Sequence, residues 1–150
     1  MAAGPARRTG LRRWTANLLT WAGSLLVVVS AVVHYHLWGS GGYKHIPTIG
    51  PLFLVQSVVG VVLALWTSAA RKLPLVLAEA GFAFASAGGL IVSVNFGLFG
   101  WQETMSAPYA GLALGVELAA GAVLCAAAAL LVKPSLRPHR PRPVRLQGPT

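Results

Sequence analysis

Four long apolar segments dominate this sequence and restrict its fold more than any other feature. They lie at residues 18–38, 51–68, 75–99 and 109–132. Each has about the 17–25 residues that an α-helix needs to cross about 30 Å of hydrocarbon. Unpaired backbone groups are costly in lipid, so apolar segments of this length are expected to be helical. We therefore predict an all-α fold, a polytopic membrane four-helix bundle.

The composition is that of a chain whose solvent is lipid. Hydrophobic residues make up 55% of the chain and charged residues 10%, whereas soluble domains carry about 25% charged residues. This apolar surface also excludes a nucleic-acid-binding domain, which must face water. Cys125 is the single cysteine, so an intrachain disulfide and a thiolate metal cluster are excluded. Because no catalytic or nucleotide-binding motif is present, we predict no enzyme activity, no cofactor, no metal site and no nucleic-acid partner.

Basic residues lie on one side of the predicted topology. They precede the first segment, follow the fourth, and occupy the loop at Arg71 and Lys72, while the other two loops hold only Lys44. The positive-inside rule therefore places both termini in the cytoplasm. We divide the chain into a basic N-terminus (1–13), a transmembrane domain (14–132) and a basic, proline-rich, disordered tail (133–150). The residues expected to contact anionic lipid headgroups are Arg7, Arg8, Arg12, Arg13, Arg137, Arg140, Arg142 and Arg145.

A cleavable signal peptide is an alternative for the first segment. Arg12 and Arg13 precede an apolar run, and the tripeptide 29–31 has the small residues of a cleavage site. Cleavage would leave three spans with the N-terminus outside. We favour a retained helix because the apolar run continues through Val32 and Val33.

The chain resembles itself at an offset of 61 residues. Without gaps, residues 33–39 align with 94–100, and Pro47 aligns with Pro108. The relationship predicts two tandem helical hairpins with an axis along the membrane normal. The alternative is convergent use of Gly, Val and Leu, which all membrane helices favour.

Four polar residues interrupt the apolar segments as two repeat-related pairs: His34 with Asn95, and Gln56 with Glu117. Intramembrane polar groups are costly and mark candidate sites, so we predict a polar cluster beneath the outer surface. For His34, Gln56 and Asn95 we favour interhelical hydrogen bonds that fix packing. For Glu117 we favour a functional role, because an ionised carboxylate there needs a partner and His34 can supply a positive charge.

Glu79 is expected to behave differently from these four residues. It lies five residues after Pro74 and close in sequence to Arg71 and Lys72. We expect its side chain to snorkel to the interface or to form a local ion pair.

Small residues predict where helices pack. On the fourth segment, a ridge of three small residues lies on the face opposite Glu117. This position indicates contact with a second copy or a membrane-protein partner. Chance spacing in an alanine-rich helix is the alternative. The predicted packing residues are Gly111, Gly115 and Ala119 of this ridge, and Gly81 and Gly88 of the third segment.

Two resemblances carry expectations about origin. The segments His34–Trp38 and Tyr43–Leu54, with the motif HxHLW followed by GYxxIPTIGPLFL, resemble small four-span membrane proteins of high-GC bacteria. That resemblance implies a bacterial plasma membrane and no particular activity. The overall layout is also similar to DoxX-like four-helix proteins, which implies redox or quinone chemistry as one hypothesis.

Three functions are consistent with these features. We favour an accessory or interaction component of a membrane assembly, from the ridge on the fourth segment, the basic termini and the lack of a catalytic motif. The alternative is a small proton- or substrate-coupled carrier that uses Glu117 and His34. The third is the DoxX-like redox or quinone-binding protein.

Overall fold

The predicted all-α architecture is confirmed. The structure, a computed structural model, describes residues 5–132, with side chains from residue 10 onward. It contains α1 (Pro5–Gly39), α2 (Ile49–Ala70), α3 (Leu73–Phe96) and α4 (Ala110–Leu131), with a 3-10 turn at Tyr43–His45. All four helices are long and apolar enough to cross a membrane. The Arg7 and Arg8 side chains and the predicted tail 133–150, with its four arginines, lie outside the described residues.

Two helix boundaries differ from the sequence prediction. α1 begins at Pro5, so the described part of the basic N-terminus continues into the first helix. α3 ends at Phe96 because Gly97 adopts a φ of 76°, a backbone conformation that glycine tolerates and other residues rarely adopt. The chain then turns back at Leu98 and Trp101, whose backbones pair with each other.

The second helix of each predicted hairpin follows the 61-residue offset. α2 and α4 are both 22 residues long, and their first and last residues are each 61 positions apart. Thr48 and Tyr109, which precede them, have φ values of 66° and 65°. Positive φ is uncommon for residues other than glycine, but the ψ values of −49° and 0° differ. The agreement between the two hairpins therefore lies in the helix bounds and in φ, and not in the full backbone conformation.

α1 is the central element of the packing. It lies along both α2 and α4, and α3 lies along α4. At Gly23 the backbone of α1 comes so close to Leu124 that an added Cβ would lie 2.5 Å from its Cγ. Contacts between α2 and α3 are the sparsest of the neighbouring helix pairs, and we call this boundary the seam.

The predicted packing glycines are not the ones that approach other helices. A Cβ added at any of four predicted positions would meet no atom within 4 Å: Gly81, Gly88, Gly111 and Gly115. Ala119, also predicted, is exposed. Close approaches occur instead at Gly23, Gly60 and Gly121. The ridge of Gly111, Gly115 and Ala119 was predicted to face away from Glu117, toward a second copy or a partner, and that contact stays a prediction.

The ends of the bundle differ in charge. The guanidinium of Arg12 donates a hydrogen bond to Val132 O at 2.9 Å, and Arg71 lies over the ring of Trp21 at 5.6 Å. The first turns of α1, the last turn of α4 and the α2–α3 turn therefore share one end, which we call the basic end. The α1–α2 and α3–α4 loops form the opposite end, the loop end.

Candidate functional site

Glu117 lies at the centre of a buried polar cluster in the half of the bundle nearest the loop end. Its residue is only 2% exposed. The hydroxyl of Ser30 on α1 donates to Glu117 Oε1 at 2.8 Å, and the hydroxyl of Ser86 on α3 donates to the same oxygen at 2.5 Å. Hydroxyl bonds to a carboxylate are short and strong, so this single oxygen ties α4 to two other helices.

His34 faces the same carboxylate oxygen. Its Nδ1 lies 2.9 Å from Ser30 O, one turn earlier in α1. A carbonyl oxygen can only accept a hydrogen bond, so Nδ1 must carry a proton. Nε2 is then the nitrogen that faces Glu117 Oε1, at 3.8 Å. The ring also packs at a tilt against Phe53, with 4.9 Å between the ring centroids.

A cavity of about 240 Å³ opens over this cluster along the seam. Leu52, Phe53 and Val55 of α2 form one wall, and Gly89 and Leu90 of α3 form the other. A Cβ at Gly89 would meet no atom within 4 Å, so the absence of a side chain there leaves space in the cavity. Ligand sites in proteins commonly combine apolar walls with a few convergent polar groups in this way.

Three of the polar side chains that line the cavity, His34, Gln56 and Glu117, were predicted from the sequence and come from three different helices. Gln56 is half-buried, and within residues 10–132 its side-chain amide forms no hydrogen bond. The structure therefore gathers three of the four predicted polar residues around one space. Ser86 also lines it, whereas Ser30 bonds to Glu117 without lining the cavity.

The structure does not bring Asn95 into this cluster. Asn95 is exposed, and its amide donates to Ile91 O on its own helix at 2.7 Å. Ser93 is the residue of this turn that lines the cavity. Two residues further along a helix a side chain points about 200° away, so Asn95 must face outward.

At the loop end the cavity is bordered by Trp101 and Glu103 of the α3–α4 loop, and Tyr43 of the α1–α2 loop packs beside them. The Tyr43 ring stacks on Phe53 with 4.6 Å between centroids, and its hydroxyl donates to Glu103 Oε2 at 2.6 Å. Trp101 Nε1 lies 3.4 Å from the same oxygen. Burial, followed by the hydrogen bond to Glu103 and its negative charge, raises the pKa of the Tyr43 phenol. The phenol therefore stays protonated and keeps donating well into the alkaline range.

Glu79 is buried rather than snorkelled. Its residue is 0% exposed, and Ser24 of α1 donates to its Oε2 at 2.9 Å. No cation of the described residues lies within 4 Å of it. Glu79 shares the inward face of α3 with Val76 and Ala83, and this face, rather than the nearby Arg71 and Lys72, sets the direction of its side chain.

Within residues 10–132, the loop-end histidines belong to no group of three potential metal ligands. His36 packs edge-on against Tyr109 with 5.5 Å between centroids. No group of three His, Cys, Asp or Glu side chains in the described part of the chain is arranged to hold an ion.

Comparisons of the chain with protein-family models, with curated proteins and with solved structures found no match.

Proposed function

We propose that this integral membrane protein is a small carrier that binds an amphiphilic cation in the seam cavity and releases a proton in exchange. The observation that carries the proposal is the free oxygen of Glu117. Both serine hydroxyls donate to Oε1, and no described residue hydrogen-bonds Oε2. Because Glu117 lines the cavity, Oε2 is available to a cationic group on a ligand.

The remaining walls fit the apolar body of such a ligand. Leu37, Leu52, Phe53 and Leu90 offer apolar surface, and the amide of Gln56 offers a further polar contact. Leu52 and Val55, on the α2 side of the seam, are 42% and 55% exposed. We infer that the ligand enters sideways from the lipid, where an amphiphilic cation concentrates.

The proton exchange follows from the pairing of His34 with Glu117. With Nδ1 donating to Ser30 O, a neutral His34 turns the lone pair of Nε2 toward Glu117 Oε1 at 3.8 Å. Two acceptors repel each other, whereas a protonated His34 and an ionised Glu117 form an ion pair at this distance, and we take this pair as the state of the empty site. An arriving ammonium ion supplies the positive charge that Glu117 needs. One cation then enters and one proton leaves.

The amine 1-adamantylamine tests the proposal, because it joins a compact apolar cage to a protonated amine. The neutral 1-adamantanol, of the same shape, is its matched control. We expect calorimetry of the full chain in lipid nanodiscs, in buffers of different ionisation enthalpy, to show amine binding with release of up to one proton. Equal affinity for the alcohol, or amine binding without proton release, would contradict the proposal.

Transport is tested separately in proteoliposomes. The probe is the trimethylated derivative of the same amine, which cannot cross lipid as a neutral molecule. We expect an imposed proton gradient to drive its uptake. The absence of uptake would show a binding protein, and uptake that ignores the gradient would show transport without proton exchange. If both termini are cytoplasmic in a bacterial plasma membrane, as the basic residues predict, the cavity lies in the outer half of the bilayer.

The accessory role is the second candidate, and the ridge of Gly111, Gly115 and Ala119 supports it. This ridge lies on the exposed face of α4 with open space beside both glycines, so a second copy or another membrane protein can approach closely. We expect Gly115→Leu to reduce cross-linked oligomers or partner complexes in mild detergent, and Val62→Leu, at an exposed position of α2, to leave them unchanged. A wild-type chain that is monomeric and without partners would contradict this role.

A further inference from the structure

Glu79 is the second acidic residue inside the bundle, and the proposed exchange at the cavity does not use it. Its residue is completely buried, and Ser24 donates to Oε2 at 2.9 Å. The other carboxyl oxygen, Oε1, has no hydrogen-bond partner in the described part of the chain. Thr67 of α2 is also fully buried, and its hydroxyl donates to Leu75 O at 3.5 Å.

The charged groups around this carboxyl group are engaged elsewhere or face outward. On α1, Arg12 donates to the last carbonyl groups of α4 and Arg13 is exposed. In the α2–α3 turn, Arg71 lies over Trp21 and Lys72 is exposed.

The packed helices bring no other ionisable group to Glu79. α2 contains no ionisable side chain. α4 contributes Glu117, which lines the cavity, and the exposed Cys125. Within residues 10–132, no cation lies within 4 Å of Glu79.

Within residues 10–132, an ionised carboxylate in this position would have no counter-charge, and it would be closed off from solvent. A buried charge without a partner costs far more than a buried hydroxyl without an acceptor. A neutral carboxyl group also fits the one hydrogen bond that is present, because Oε2 accepts from Ser24 while Oε1 carries the hydrogen. We infer that Glu79 is a buried proton-binding site in the half of the bundle nearest the basic end. Its carboxyl group carries a proton in the folded chain at neutral pH.

An apolar layer separates this site from the cavity. Ser24 and Ser30, the α1 partners of the two glutamates, are six residues and therefore about 9 Å apart along the helix. Val27, Ala83 and Ala120 fill the space between them, and the cleft beneath Glu117 has no room for a water molecule. The two glutamates are thus two proton sites without a hydrogen-bonded path between them. This inference stands whether or not the cavity binds a cation.

The test compares wild type with Glu79→Gln, using the full chain in nanodiscs. We expect the infrared spectrum of wild type at pH 7 to contain a protonated-carboxyl band that the variant lacks, and that Glu117→Gln retains. At neutral pH the Glu79 carboxyl group is protonated in the folded chain and ionised in the unfolded chain, so the folded chain binds one more proton. The thermal stability of wild type should therefore fall as pH rises above neutrality, while that of Glu79→Gln should change less. The absence of that band, with parallel stability profiles, would overturn the inference.

Two further measurements keep the inference testable if Glu79→Gln does not assemble. Ser24→Ala removes the one hydrogen bond to Oε2, so the carboxyl band should persist and move to higher frequency. A spectrum at pH 7 that does not respond to Ser24→Ala would overturn the inference. Stabilisation by sodium over choline that persists in Glu117→Gln would also overturn it, because Glu79 would then be ionised and would hold a metal cation.

Discussion

Replacing Glu117 by glutamine is expected to weaken binding of 1-adamantylamine by at least about 30-fold while leaving 1-adamantanol binding nearly unchanged. Removing one partner of a buried, hydrogen-bonded charge pair costs about 2–5 kcal/mol, and each 1.4 kcal/mol is about tenfold in affinity. Glutamine retains an oxygen that can accept from Ser30 and Ser86, so the contacts of α4 with α1 and α3 are kept. The proton released on amine binding should disappear in the same variant.

Glu103→Gln is the matched control for this substitution. Glu103 also lines the cavity, but its two oxygens already accept from Tyr43, Trp101 and the backbone N–H of Thr104. We expect this variant to bind the amine within a few-fold of wild type. If Glu103→Gln caused the large loss and Glu117→Gln did not, the ammonium group would sit at the mouth of the cavity and the exchange at His34 would be wrong.

The four helices were predictable from the sequence because lipid imposes a strong condition on each segment. A segment that crosses hydrocarbon must be long, apolar and internally hydrogen-bonded, and all three properties can be read without knowing the neighbours. The ends of the helices depended more on local backbone conformation. Gly97, with its positive φ, ended α3 before Phe99, and hydropathy carries no signal for such a turn.

The site was only partly predictable because helix rotation depends on the packing. Glu117 and His34 stood out as costly groups in lipid, and they do face one another. Asn95 is equally polar, yet the packing of α3 turns Ser93 inward instead. Serine hydroxyls are common in membrane helices, so Ser30 and Ser86 gave little warning of their role. Ser30 did lie one turn before His34, and this spacing was the available signal.

Glu79 is another residue whose position in the bundle was not predicted correctly from the sequence. Its closeness in sequence to Arg71 and Lys72 favoured an interfacial side chain, but its residue is 0% exposed. The residue seven positions further along α3 is Ser86, which donates to Glu117. Positions seven apart share a helix face, so a search for polar residues at heptad spacing would have placed Glu79 on the inward face.

Filling the cavity at Gly89 is expected to abolish amine and alcohol binding together. A Cβ at this position meets no atom within 4 Å, so Gly89→Phe can place its ring in the cavity without displacing the backbone. Replacing glycine within a helix also favours the helical state by up to about 1 kcal/mol. We therefore expect unchanged or increased thermal stability in nanodiscs, with affinity for both probes reduced more than tenfold by calorimetry.

Gly81→Phe separates this effect from the general consequences of an added aromatic ring. Gly81 lies on the same helix with equally open space around it, but it is exposed and does not line the cavity. The Gly81→Phe variant should therefore bind both probes as wild type does. Glu117→Gln removes the charge and spares the shape of the site, whereas Gly89→Phe removes the shape and spares the charge. If the amine bound normally to Gly89→Phe, it would occupy another part of the surface, and the seam cavity would not be the binding site.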